Sequence, residues 1–188
     1  MKRFVILLLS LYACVAAQAQ ERVVSALAGL VTRAEGEVLY HCHEKEDGVG
    51  PLRAGVQLHD GDLVFTAAGG SVTWALNPGS YMTASGDSLV RVYATELDGM
   101  HFDVERGELA LVVRSLENGA ALVVHPPPGP MTVRKAGRYL FRVEEDGETE
   151  VAVSEGELRY QEKGKEVGLK KGRKVNFRRP GKGVEHEQ

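Results

Sequence analysis

GRYLFRVEEDGETEVAVSEGEL, residues 137–158, decides the fold. Tyr139, Phe141 and Val143 recur at every second residue, and Val151 and Val153 resume that period after an acidic break at Glu144-Glu145-Asp146-Gly147. A period of two puts alternate side chains on opposite faces of a strand, so one face is apolar and the other polar. Asp146-Gly147 and Glu155-Gly156 supply the positive φ that tight reversals need. The stretch is therefore two short strands with a turn between them and another after.

Working outward, the same alternation appears in Val72/Trp74/Leu76, Phe102/Val104 and Leu109/Leu111/Val113. Each run is about five residues, an ordinary strand length. Turn signals separate the runs: Asp60-Gly61, Gly69-Gly70, Asn77-Pro78-Gly79, Ser85-Gly86-Asp87, Asp98-Gly99 and Asn118-Gly119. No stretch after residue 35 carries an apolar i, i+3, i+4 stripe of helical length. The chain is expected to be all-β, built of short antiparallel strands. Residues 20–34 are a lead-in able to form a helical turn or a first strand, residues 35–178 the β domain, and residues 179–188 a tail expected to fray. His125-Pro126-Pro127-Pro128-Gly129-Pro130 cannot donate ladder hydrogen bonds and reads as a rigid corner.

Composition narrows the class. At 188 residues the chain is one domain or two small ones. Its 22 glycines and 6% aromatics disfavour a helix bundle, and a formal charge of -3 excludes a globally basic nucleic-acid binder. Two cysteines cannot build a disulfide scaffold.

Residues 1–19 read as a secretory signal peptide. Lys2 and Arg3 form the charged start, Phe4 to Ala16 the apolar run, and Ala17-Gln18-Ala19 a small-x-small cleavage site. Leu11-Tyr12-Ala13-Cys14 is the competing pattern, a lipobox that would leave a lipid anchor at Cys14; Tyr12 fits it poorly. The expected location is periplasmic or extracellular, with no membrane-spanning segment in the mature chain.

The order of turns and strands resembles the FecR domain family of bacterial envelope proteins. Gly36-Glu37-Val38 is followed by Leu58-His59-Asp60-Gly61-Asp62-Leu63, then by Gly70-Ser71-Val72 and the turn Asn77-Pro78-Gly79-Ser80. Val104-Glu105-Arg106-Gly107-Glu108-Leu109 matches a glycine-containing hairpin. The residues 137–158 match the closing pattern, and Leu169-Lys170-Lys171-Gly172-Arg173-Lys174-Val175 a final strand. The resemblance covers roughly residues 35–178. It implies a β-solenoid-like or sandwich-like stack of strands whose small apolar rows join into one core. Two departures stand out: His125 replaces a usual threonine before the proline, and Arg138-Tyr139 replaces the threonine after Gly137.

Reactive chemistry finds little footing. His41-Cys42-His43 carries zinc- or copper-binding side chains, but strand alternation would split them between two faces, and a further ligand such as His59 would have to arrive by folding. No metal or other cofactor is expected. Ser71 and Ser80 follow glycines without the nucleophile-elbow setting, and His101 and His125 pair with them only arbitrarily. Glu144, Glu145, Asp146, Glu155 and Glu157 fall at turns and solvent faces. The expectation is that the protein is not an enzyme. Seven basic residues in residues 170–182 read as a solvated edge that resists aggregation, or as a contact for an anionic partner.

In the family's best-known arrangement the domain lies outside the inner membrane and answers to a transporter while tethered to a sigma-factor regulator. With a signal peptide and no second apolar stretch, the expectation here is a free-standing exported module for protein–protein interaction or envelope assembly and signalling, without its own anti-sigma region. The alternative is a carbohydrate-binding module for cell-wall or exported polysaccharide, with Trp74, Tyr81 and Tyr93 as its aromatics. Partners are thus an envelope protein or polysaccharide, not nucleic acid. The departures place the expected partner contact at Pro126, Pro127, Pro128, Arg138 and Tyr139.

Overall fold

The computed structural model describes residues 28–44, 48–96, 99–116, 121–178 and 184–187; the segment read as a signal peptide, with Cys14, lies outside them. Every regular element among the described residues is a strand. They are β1 (Val31–Glu35), β2 (Val38–His41), β3 (Val49–Pro51), β4 (Leu63–Thr66), β5 (Ser71–Asn77), β6 (Ser80–Glu96), β7 (Gly99–Val113) and β8 (Ala121–His125). There follow β9 (Met131–Val133), β10 (Gly137–Val143), β11 (Thr149–Glu155), β12 (Glu157–Glu162), β13 (Lys165–Lys170), β14 (Arg173–Phe177) and β15 (Val184–Glu187). The sheet thus takes in β1 within the lead-in and β15 within the terminal stretch.

The strands form two layers that share one long hairpin. The first half of β6 and the second half of β7 lie in a layer with β1, β5, β10, β11, β14 and β15. The second half of β6 and the first half of β7 lie in a layer with β2, β3, β4, β8, β9, β12 and β13. Trp74 of β5 meets Phe102 of β7 across the interior, ring centroids 6.1 Å apart, and Tyr160 of β12 sits edge-on to Phe177 of β14 at 5.1 Å. The sandwich-like arrangement is the one adopted. Its core is a single buried cluster that includes Val72, Trp74, Leu109, Tyr139, Phe141 and Val151, the residues that the period of two placed inside.

Two features depart from short antiparallel strands. β6 and β7 have 17 and 15 residues, because Ser85-Gly86-Asp87 and Arg106-Gly107-Glu108 bend a continuing strand instead of closing a hairpin. Ladder pairing resumes on both sides of each bend, with Ser85 opposite Glu108 and Leu89 opposite Arg106. β7 and β8 also run parallel, the single parallel pair among these strands. A far-ultraviolet circular dichroism spectrum should accordingly be strand-dominated, with helix far below the ~30–35% of an average globular protein; a helical spectrum would refute the architecture.

The Leu-x-x-Gly-Asp stretch has a clear physical role. Asp62 is buried, and its carboxylate accepts the backbone N–H of His43 at 2.9 Å and of His59 at 3.0 Å. It ties the end of β2 to the loop before β4, and Asp60 reaches β6 by accepting the N–H and hydroxyl of Thr95, both at 2.9 Å.

Candidate functional site

The five residues expected to meet a partner fall into two places. Pro126 is buried, while Pro127 and Pro128 are exposed on a turn closed by Gly129 N–H to Pro126 O at 2.9 Å. That corner leans on the β10–β11 turn, where Pro127 lies against Gly147. Arg138 stands at the opposite end of β10. Its guanidinium forks onto Glu155 at 3.2 and 3.0 Å, and a bulge at Ser154 in the β10–β11 ladder aims Glu155 toward it. The pairing raises the Arg138 pKa and holds the exposed Glu155 carboxyl below its usual range, mainly through the Arg138 hydrogen bond, with Lys171 adding to it.

Tyr139 corrects the expectation of a surface contact. It is 2% exposed, its hydroxyl donates to Lys135 O at 2.5 Å and accepts Glu157 N–H at 3.1 Å. Gly156 passes directly beneath that hydroxyl with φ +97°, where a Cβ would collide with the ring oxygen. The residue staples the loop before β10 to the start of β12. Its alternation with Phe141 and Val143 already placed it inside, and burial pushes its phenol pKa up.

The surface beside Arg138 forms a groove that the sequence did not announce. Val112, Arg114, Ala136, Arg138 and Glu155 surround a depression of about 500 Å³. Val112 is 43% exposed because Leu111 and Val113 both face the core, leaving it the outer face of β7. Tyr81, 41% exposed, is its register partner on β6. Arg114 is placed by the Asn77-Pro78-Gly79-Ser80 turn: its N–H donates to Ser80 Oγ at 2.9 Å, Asn77 Nδ2 donates to Ser115 O at 2.9 Å, and its stem packs over Gly79. That motif was the available signal for this site, but it gives no hint of which distant strand end it holds.

Two further depressions, of about 470 and 430 Å³, flank Arg142 near the β10–β11 turn. Arg142 is occupied by Glu108 at 2.7 Å and Glu150 at 3.1 Å, and the Glu108 hydrogen bond foremost raises its pKa. Neither depression is deep or apolar.

The remaining expected groups are dispersed. His41 ends β2, Cys42 is a free thiol, and His43 is exposed over Gly61; among the described residues no three metal-binding side chains converge. Ser80 is buried and engaged with Arg114. His101 and His125 face each other with ring centroids 6.0 Å apart, and Asp103 lies 3.8 Å from His125 Nδ1. Of the aromatics, Trp74 is fully buried, while Tyr81 and Tyr93 are exposed on different layers. Tyr93, 63% exposed, has His101 beside it at 6.3 Å. Lys171 lies in the β13–β14 turn, near Glu155, whereas Arg178 follows β14 at its other end.

The family model described as FecR protein matches residues 62–159, from Asp62 to the middle of β12. Two crystal structures of a candidate anti-sigma factor from Parabacteroides distasonis, at 1.65 and 2.50 Å resolution, share the fold. Each is 16% identical in sequence and aligns with a TM-score of 0.57 over 66% of this chain and 58% of that one. The chain thus spans well under two thirds of that protein's length. No curated protein matches the sequence.

Proposed function

We infer the function from the family: the chain belongs to the FecR family, and it is a FecR-like regulatory or signalling module that acts by binding another protein. The observation that carries this reading is the family match over residues 62–159, which takes in the strands and turns that form the Val112–Arg138 groove. The surface supports it. Several charged side chains on the strand faces are committed to ion pairs, such as Arg142 with Glu108 and Arg159 with Glu166, and the depressions beside Arg142 are shallow and polar. Such a surface suits broad contact with a macromolecule better than enclosure of a small substrate. In this reading residues 1–19 direct export, the mature chain begins at Gln20, and the module works in the cell envelope.

A second reading, saccharide binding, draws on the exposed Tyr93 beside His101 and His125. Chemical crosslinking in the native envelope, followed by purification of the full chain, separates the two. A discrete protein captured with the chain is the expected result. Binding on a glycan array with no protein captured would replace the interaction module with the saccharide reading.

A further inference from the structure

We propose that the groove between the end of β7 and the start of β10 is a docking surface for an acidic segment of a partner protein, one that carries an apolar side chain between carboxylates. The proposal rests on the protein-binding reading above and names the surface and the chemistry.

The floor is apolar at Val112. Tyr81, beside Val112 on the adjacent strand, extends that apolar face beyond the groove, and both are among the few large hydrophobic side chains exposed among the described residues. Exposed apolar area gathered at one place on a sheet marks a contact site more often than scattered residues do.

The rim is cationic, and its charges come from three distant parts of the chain. The backbone at Arg114 and Ser115 is held by Ser80 and Asn77, and the Arg114 guanidinium makes no ion pair among the described residues. Arg138 shares the one carboxylate of the rim, Glu155. The β13–β14 turn is pinned to β11 by Gly172 N–H to Val153 O at 2.7 Å, which brings Lys171 close enough to act on Glu155. Arg114 and Arg138 at the rim, with Lys171 nearby, outnumber the one carboxylate and give a net positive field focused on the groove.

Charge complementarity therefore selects an anionic occupant, and the floor selects among anions. A polysaccharide can stack a sugar face on Tyr81 but carries no aliphatic side chain to cover Val112. A flat anionic bilayer cannot enter a depression walled by Arg114 and Arg138. A protein segment with carboxylates on either side of a leucine-like side chain fits both parts. Binding of this kind weakens with salt, because the rim charges are exposed.

The test uses the full chain and a fluorescent peptide of alternating Leu and Glu, with an alternating Leu and Lys peptide and phosphatidylglycerol vesicles as comparisons. The Leu–Glu peptide should bind, with affinity falling as salt rises. Arg114→Glu combined with Lys171→Glu should weaken it about tenfold or more, while Lys165→Glu, at the far end of β13, should leave it unchanged. Arg114→Glu alone provides a second variant, and an unaltered melting midpoint shows that each variant is folded. Absence of Leu–Glu binding, equal binding of the Leu–Lys peptide, indifference to the rim reversals, or binding to vesicles alone would overturn the proposal. Capture of an envelope protein that survives the rim reversals would sink the groove while leaving the interaction module standing. If wild-type protein captures none, it is the module reading that fails.

Discussion

Replacing Phe141 by Ala should cost about 3–5 kcal/mol of stability, the range for deleting a fully buried aromatic side chain. Phe141 is 0% exposed at the centre of β10, opposite Leu109 of β7 and Val151 of β11, both also 0% exposed. Its ring therefore bridges three consecutive strands of one layer, and truncation leaves a cavity that none of the three can close without breaking ladder register. At roughly 2–4 °C per kcal/mol for a chain of this size, the melting midpoint should fall by about 10 °C. Leu140→Ala, on the half-exposed opposite face of the same strand, is the natural comparison and should cost much less. Equal losses for the two would mean that β10 buries the wrong face.

Phe141 also shows how far the sequence reaches. A period of two is a local property, so the inward residues of β5, β7, β10 and β11 were legible before any partner strand was known. The order of turns was legible for the same reason, and with it the family. What a glycine does at a turn is not local. Gly147 ends one strand and starts another, whereas Gly86 and Gly107 bend strands that continue, and the difference lies in whether the neighbouring ladder resumes past the glycine. The sequence reading of a hairpin at Gly107 failed on that point.

The candidate site divides along the same line. Arg138 was found because it departs from a family pattern, and the structure sets it on the rim of a groove. Tyr139 departs from the same family pattern, yet its own alternation with Phe141 puts it in the core, where it stands. Val112 could be suspected of facing outward, because Leu111-Val112-Val113 cannot all point inward. That Arg138 and Glu155 come to lie beside it depends on strand pairing across more than twenty residues, which no local pattern encodes.

Gly107→Ala should be the most damaging of the glycine substitutions at the two strand bends. Gly107 has φ +94°, a conformation that costs an L-residue about 1–2 kcal/mol. An added Cβ would also lie 2.7 Å from Ser88 Cβ and collide with Ser88 Oγ and Cα. Ser88 is buried and cannot withdraw cheaply. Its hydroxyl donates to Ser85 O at 2.6 Å and accepts Glu108 N–H at 3.1 Å, and its own N–H donates to Thr66 Oγ1 at 3.0 Å. Displacing it adds overpacking of about 1–3 kcal/mol, so the expected total is about 2–5 kcal/mol. Gly86→Ala is the control for backbone conformation alone. Gly86 has φ +57°, and nothing lies within 4 Å of its added Cβ, so its loss should stay near the about 1–2 kcal/mol backbone cost. Urea denaturation midpoints of the two variants decide the matter. A larger loss at Gly107 locates the passage of β7 between the two layers at the Ser88 contact. The same loss at both sites would mean that Ser88 yields freely, and the shared hairpin would then be held by its ladders and not by this close approach.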